Sequence, residues 1–350
     1  MMTAGARYGE EGTLRASPDL AEKIAFLSQP TAYPHAPARV ETRETHMSYV
    51  FLAGDRVYKL KKPVRYPFLD FSTLAAREWN CREEVRLNRR LAPDVYLGVQ
   101  PLTFSAAYGF AIGGTETVVD WLVEMQRLPA DRMLDRLIAD GAATPELIDA
   151  LCAHLARFYR SAAPSRIEPT AYSARFFDEQ AINRDVLTQG AFALDRVNVR
   201  RILDRLDGCL ARNRPLLEAR VVAGAVVDGH GDLRPEHICM SVPIVIFDCL
   251  EFSPSLRQVD PFDEVAFLGV ECRFPGALST AAAIERGFAD RMAPAPSVGL
   301  IALYGAWRAA LRARLSLAHL LEPSPRQPKK WEPQAQRYLE IAERHLALDP

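Results

Sequence analysis

Between Val40 and Glu124 the apolar positions come in short runs separated by Gly, Asp and Pro, whereas beyond Met125 they recur every three to four residues over long stretches. The first texture predicts strands and the second amphipathic helices. Val40–Glu44, Tyr49–Ala53 and Arg56–Lys61 are the first predicted strands, and Gly54-Asp55 is a tight hairpin turn. Ser72 or Thr73 is placed to cap a helix that runs to about Leu91, where Ala92-Pro93 ends it. Tyr96–Pro101, Tyr108–Gly113 and Thr117–Glu124 follow as strands. Helices are then expected over Thr144–Arg160, Ser173–Gln189, Asn198–Ala211, Pro261–Cys272, Ala277–Met292 and Val298–Leu321. A Pro-rich break from Pro323 to Pro333 precedes a last helix over Gln334–Leu348, and only residues 222–252 return to strand texture. The pattern divides the chain into an N-terminal extension (1–35) with one short helix, a small antiparallel β-rich lobe (36–124) and a larger α-rich lobe (125–350). That is an α+β architecture.

Bulk composition narrows the class. With 350 residues, 49% hydrophobic and 25% charged, the chain has material for two lobes and a sizeable core. A formal net charge of −1 gives no reason to expect nucleic acid or an anionic membrane as partner. Cys81, Cys152, Cys209, Cys239, Cys249 and Cys272 form no C-x-x-C pair, which predicts free thiols in a reducing cytoplasm. No apolar run reaches the roughly 18 residues of a membrane span, and the N-terminus lacks a signal core. Lysine is scarce: Lys23, Lys59, Lys61, Lys62, Lys329 and Lys330 are all there are, and half fall in one short stretch.

The candidate chemistry concentrates in His230-Gly231-Asp232-Leu233-Arg234-Pro235-Glu236-His237 and in the apolar run Pro243–Phe247 that ends at Asp248. Phosphoryl transfer from a nucleotide needs one carboxylate to orient the attacking hydroxyl and another to hold the metal on the phosphates. Asp232 alone would read as a turn residue. Followed by a metal-capable side chain and a strand ending in Asp, it reads as the base. Asp248, at the end of a buried strand, offers the hard oxygen that Mg²⁺ prefers. His237 is the odd member, because imidazole suits Mn²⁺ or Zn²⁺ better than Mg²⁺. It would ligate weakly, contact phosphate, or serve only structure.

Lys59 lies on the third strand, where a lysine facing a cleft neutralises nucleotide phosphates. Strand alternation puts Lys61 on the same face as the fallback and Lys62 on the opposite one. An edge strand guarded by lysines is the plainer reading for Lys61 and Lys62. Glu84 shares a helix face with Leu87 and Leu91, so it points inward as the partner of Lys59, and Glu83 points to solvent. The loop Thr45-His46-Met47-Ser48 contains no G-x-G-x-x-G, so His46, Ser48 and backbone amides would have to cover the phosphates.

Taken together, these residues resemble the aminoglycoside phosphotransferase family of kinase-like proteins. His230–His237 with Ile246-Phe247-Asp248 is similar to that family's catalytic loop and metal segment, with His237 in the place usually held by Asn. Asp260-Pro261-Phe262-Asp263-Glu264-Val265-Ala266 is similar to its G-D-P-x-x-D-L-A segment, with Val259 for Gly and Glu264 for the second Asp. Thr45 to Lys62, Phe68-Leu69-Asp70-Phe71 and Glu84–Leu91 resemble a bacterial subfamily that often carries this domain ahead of a P-loop ATPase domain. No G-x-x-x-x-G-K-[ST] occurs in this sequence, so such an ATPase would be a separate partner. The resemblance implies a bilobal protein-kinase-like fold with ATP and Mg²⁺, or Mn²⁺, between the lobes. It also implies an adenine-binding hinge at Glu124-Met125-Gln126, and roles for Lys59 and Glu84 at phosphate, Asp232 as base, and Asp248 and His237 at metal. The absence of A-P-E after Asp248 favours a small-molecule hydroxyl as acceptor. The alternative is a nucleotide-binding pseudokinase that senses ATP or scaffolds a partner.

Overall fold

A computed structural model describes residues 18–66, 69–322 and 324–348. Residues 1–17 of the expected extension and Phe68 of the family-like block lie outside the described residues. The chain divides into two compact units, one of residues up to 89 with 94–127, the other of 90–93 with 128 onward.

Unit 1 runs through α1 (Leu20–Leu27), β1 (Val40–Glu44), β2 (Ser48–Ala53), β3 (Arg56–Lys61), β4 (Arg65–Tyr66), β5 (Leu69–Asp70), α2 (Leu74–Asn88), β6 (Tyr96–Ser105), β7 (Gly109–Ile112) and β8 (Thr117–Gln126). Six strands form one antiparallel sheet in the order β1-β2-β3-β8-β6-β7. Ala53 pairs with Arg56 across the expected hairpin, and Gly54 takes a left-handed φ of +65° that glycine adopts without a Cβ clash. The period of two then sorts β3. Tyr58 and Leu60 join Leu27, Tyr33, Phe51 and Leu122 in one apolar cluster, whereas Lys59 and Lys61 lie on the face that α2 covers. Thr73 caps α2 through the amide of Ala76 at 3.1 Å, as the sequence suggested.

Residues 18–33 of the stretch read as an extension are a layer of this unit. Asp19 and Glu22 close a capping box on α1, and Leu27, Ala32 and Tyr33 enter the sheet core. Buried Lys23 binds Asp120 on β8 at 2.9 Å, and Arg77 of α2 grips the same carboxylate at 2.7 Å.

Unit 2 is mainly helical: α3 (Leu134–Ala139), α4 (Pro145–Ser161), α5 (Pro169–Leu187) and α6 (Arg196–Val222) precede the short strands β9 (Val227–Asp228), β10 (Ile238–Cys239) and β11 (Val245–Ile246). Then come α7 (Pro254–Arg257), β12 (Gln258–Val259), α8 (Pro261–Arg273), α9 (Leu278–Ala289), α10 (Val298–Ala318) and α11 (Pro328–Leu346). Every residue of α8 from Pro261 to Cys272 is buried, so this helix forms the axis on which α9 and α10 pack. The last helix begins inside the stretch expected to be a break, because Pro328 occupies a first helical turn that needs no N–H donor. All six cysteines are free and buried. Among the described residues no helix is long and apolar enough to cross a membrane.

Candidate active site

In unit 1, Glu84 is fully buried on α2 and takes both strand lysines at once. Lys59 Nζ donates to Oε1 at 2.9 Å and Lys61 Nζ to Oε2 at 2.6 Å. Lys61 is wholly buried and rests over the Phe71 ring, while the Lys59 side chain keeps 16% of its surface open. Lys59 is therefore the lysine with a surface to offer a ligand, and Lys61 anchors the carboxylate from behind. Lys62 points the other way onto Glu44 at 2.6 Å, and Glu83 binds Arg86 on the outer face of α2. Ser48 is buried opposite Lys61, and exposed His46 stacks on Tyr66 at 5.2 Å. Glu124 accepts from Tyr58 Oη at 3.1 Å and Gln100 Nε2 at 2.8 Å, so its side chain is committed to the sheet. β8 runs on to Gln126 with Met125 paired to both β3 and β6.

The loop carrying Asp232 in unit 2 is fixed from below by Glu264. This buried carboxylate accepts from the amide of His230 at 2.9 Å, from the amide of Gly231, and from Tyr159 Oη at 2.5 Å. Burial pushes its pKa up, against the pull of those three donors. Glycine is required above it: a Cβ at Gly229 would stand 2.6 Å from Glu264 Oε2, and Gly231 adopts φ +91°. Asp228, at the loop's entrance, is clamped by Arg257 Nε at 2.9 Å and Arg90 Nη1 at 3.2 Å.

His230 joins this loop to the segment bearing Asp248. Its Nδ1 accepts from the Asp232 amide at 3.2 Å, so Nε2 carries the proton and donates to the Phe247 carbonyl at 2.9 Å. Burial lowers its pKa to about 4, which keeps the ring neutral. Two backbone bonds, Leu250 N to His230 O at 3.1 Å and Phe247 N to His237 O at 3.0 Å, complete the seam.

His237 is oriented by the same logic. Nδ1–H donates to the Asp232 carbonyl at 2.8 Å, which leaves the single lone pair on Nε2, 3.5 Å from Asp248 Oδ2. Asp248 sits at φ +62°, a left-handed conformation that Asp tolerates better than most residues. An imidazole nitrogen and a carboxylate oxygen at this separation fit two adjacent positions on one divalent ion. Among the described residues no set of three or more His, Cys, Asp or Glu converges as a metal site. A pair suits a cation that completes its shell with phosphate oxygens and water, as Mg²⁺ does.

The structure thus brings Lys59 together with Glu84, and Asp232 together with His237 and Asp248. Sequence reasoning missed Arg234, whose Nε donates to Asp232 Oδ2 at 3.1 Å and whose Nη2 donates to His237 Nε2 at 3.2 Å. It also left aside Asp263 and Glu271, which are buried on α8 and pair with Arg308 and Arg312. The available signal was their position in or beside an apolar helix, where an unpaired charge is costly.

No protein-family model matches the chain. It is 32% identical over 316 residues to uncharacterized proteins of Mycobacterium tuberculosis and Mycobacterium bovis, covering 88% of this chain and 60% of those proteins. The chain therefore spans about three-fifths of the length of the curated relatives it matches. Among solved structures, a choline/ethanolamine kinase family protein from Mesorhizobium loti superposes with TM-score 0.55 at 16% identity, over 94% of this chain and 99% of that one. A thermostable mutant of an aminoglycoside phosphotransferase does so with TM-score 0.51 at 11% identity, over 89% and 94%. A choline kinase from Cryptosporidium parvum reaches 0.50 at 10% identity, over 93% and 94%. With its antiparallel-sheet unit and its helical unit, the chain has the protein-kinase-like fold of the aminoglycoside phosphotransferases and choline kinases.

Proposed function

We propose that the chain is an ATP-dependent phosphotransferase that moves the γ-phosphoryl group to a hydroxyl of a small molecule. The observation that carries this reading is the Lys59–Glu84 ion pair at 2.9 Å, the element that kinase-type transfer requires in place before the nucleotide is competent. Lys59 then neutralises phosphate charge while Glu84 and Lys61 hold it at a fixed height. Asp248 and the Nε2 lone pair of His237 take the metal, Mg²⁺ or, because one donor is imidazole, Mn²⁺. A divalent ion held there would supply positive charge against the negative charge that develops on the phosphate oxygens. Asp232 accepts the hydrogen bond of the acceptor hydroxyl and orients it for in-line attack.

The acceptor is a small molecule because only residues 249–260 separate Asp248 from α8, too little chain for a long activation segment. The fold neighbours named for choline, ethanolamine and aminoglycosides agree with that class. A second reading, nucleotide binding without transfer, is favoured by Arg234, whose guanidinium covers the Asp232 carboxylate and His237 together.

Two measurements decide. ATP with Mg²⁺ or Mn²⁺ is expected to raise the melting temperature, and Lys59→Ala to abolish the rise; no shift with any nucleotide rejects both readings. In an ATP-turnover assay against a panel of hydroxylated metabolites, Asp232→Asn should lower kcat by roughly 10²–10⁴. Unchanged turnover in that variant removes Asp232 as the base, whereas a nucleotide-induced rise in melting temperature with no acceptor-dependent turnover in wild type leaves the sensor.

A further inference from the structure

His237 has one nitrogen to give, and Arg234 already holds it. The imidazole proton is fixed on Nδ1 by the Asp232 carbonyl at 2.8 Å, so Nε2 presents one in-plane lone pair. That pair accepts from Arg234 Nη2 at 3.2 Å and faces Asp248 Oδ2 at 3.5 Å. It cannot accept a hydrogen bond and ligate a metal at the same time. We propose that Arg234 is a gate on the metal position: it occupies the His237 lone pair and releases it when a phosphate oxygen offers the guanidinium a better partner.

Three donors of the same guanidinium are used on three groups. Nε holds Asp232 Oδ2 at 3.1 Å, Nη1 holds Glu236 Oε1 at 2.9 Å, and Nη2 holds His237. Release therefore needs the loss of one bond, while the two carboxylates keep the arm beside the site. Of the three, His237 is the neutral acceptor and so the weakest. A phosphate oxygen competes well for Nη2, because planar guanidinium matches phosphate geometry and the bond becomes charge-assisted. Charge acts in the same direction: a cation beside Nε2 repels a divalent ion approaching that atom, and the repulsion falls once phosphate charge arrives. The gate thus makes metal entry depend on nucleotide and keeps the two-ligand site from taking a stray divalent ion. It rests on the proposed placement of metal at Asp248 and His237, and Arg234 acts through His237 as a positioning residue.

The test is a Mn²⁺ titration by electron paramagnetic resonance on the full chain without nucleotide, with the ¹⁴N modulation of a bound imidazole as the second readout. Wild type should bind weakly and show no ¹⁴N modulation; adding a non-hydrolysable ATP analogue should bring it out. Arg234→Met should bind Mn²⁺ at least about tenfold tighter without nucleotide and already show the nitrogen signal, which His237→Ala in that background removes. Arg234→Lys, which keeps the charge but loses the planar fork, should lie between them. Arg234→Gln stands in if the Met variant does not fold. Equal Mn²⁺ affinity in wild type and both neutral variants, or tighter binding without the nitrogen signal, overturns the gate. If wild type takes Mn²⁺ with nucleotide yet the variants gain nothing, the gate fails and the phosphotransferase reading stands. Gain in the variants with no nucleotide binding in wild type would keep the hold of Arg234 on His237 but overturn both nucleotide-dependent release and the phosphotransferase reading.

Discussion

Replacing Glu84 with Ala is expected to cost about 3–5 kcal/mol and to abolish nucleotide binding, the largest combined loss of any single substitution in unit 1. The reason is stoichiometric. One buried carboxylate balances two lysines, Lys59 at 2.9 Å and Lys61 at 2.6 Å, and Lys61 has no surface through which water could replace it. Removing Glu84 leaves that charge in a desolvated site. The lysines should separate the structural and functional parts. Lys59→Met leaves Glu84 with Lys61, so the cost should stay near 1 kcal/mol while the ATP-induced rise in melting temperature disappears. Lys61→Met leaves Glu84 with the more open Lys59 and should cost more than Lys59→Met, with nucleotide binding weakened rather than lost. Urea midpoints for the three variants, each with and without ATP and Mg²⁺, give the order. Equal destabilisation by Lys59→Met and Glu84→Ala would show that the shared carboxylate does not organise this site.

The reach of the sequence follows from what its periodicities encode. Alternation on β3 identified Lys59 and Lys61 as face-mates, and helical spacing turned Glu84 toward them; both are local regularities, and both carry into the structure. That Lys61 would share the carboxylate, rather than guard an edge, depended on β3 lying between β2 and β8, a long-range pairing that spacing does not express. The first helix showed the same limit. Its apolar positions were visible, but its place in the core depended on Lys23 reaching Asp120 across most of unit 1. In unit 2 the motif segments named Asp232 and Asp248 directly. What they hid was the tautomer of His237, set by a backbone carbonyl, and the attachment of Arg234 to it. Glu264 was noted only as a departure from the family pattern. Its work under the loop appears once Gly229 and Gly231 let two amides approach it.

Acid should unfold this protein well before its ordinary carboxylates are all neutral. His230 and His345 are buried as neutral rings, with pKa values lowered by burial to about 4 and about 3 against an ordinary 6.5. The folded values are depressed, so protons enter the unfolded chain first as pH falls below 6.5. Stability from these rings is complete above that value and drains at about 1.4 kcal/mol per pH unit for each, until the folded-state value is reached. Near pH 3 the two together remove of order 7 kcal/mol, as much as a typical domain has. Buried Asp263, Glu264 and Glu271 work the other way, since burial raises their pKa values and the folded state protonates them first. The histidine contribution is therefore read by difference. His345 lies against Gly305 with Nε2 buried and unpartnered, and Arg273 nearby adds to the penalty on its charged form. His345→Gln removes the titration but not the polar bulk. Its stability should depend less steeply on pH than wild type by about 1.4 kcal/mol per unit between pH 6 and 4, in urea melts at fixed ionic strength. Parallel curves for the two proteins would mean that His345 is already charged in the fold, and the acid sensitivity would then rest on His230 alone.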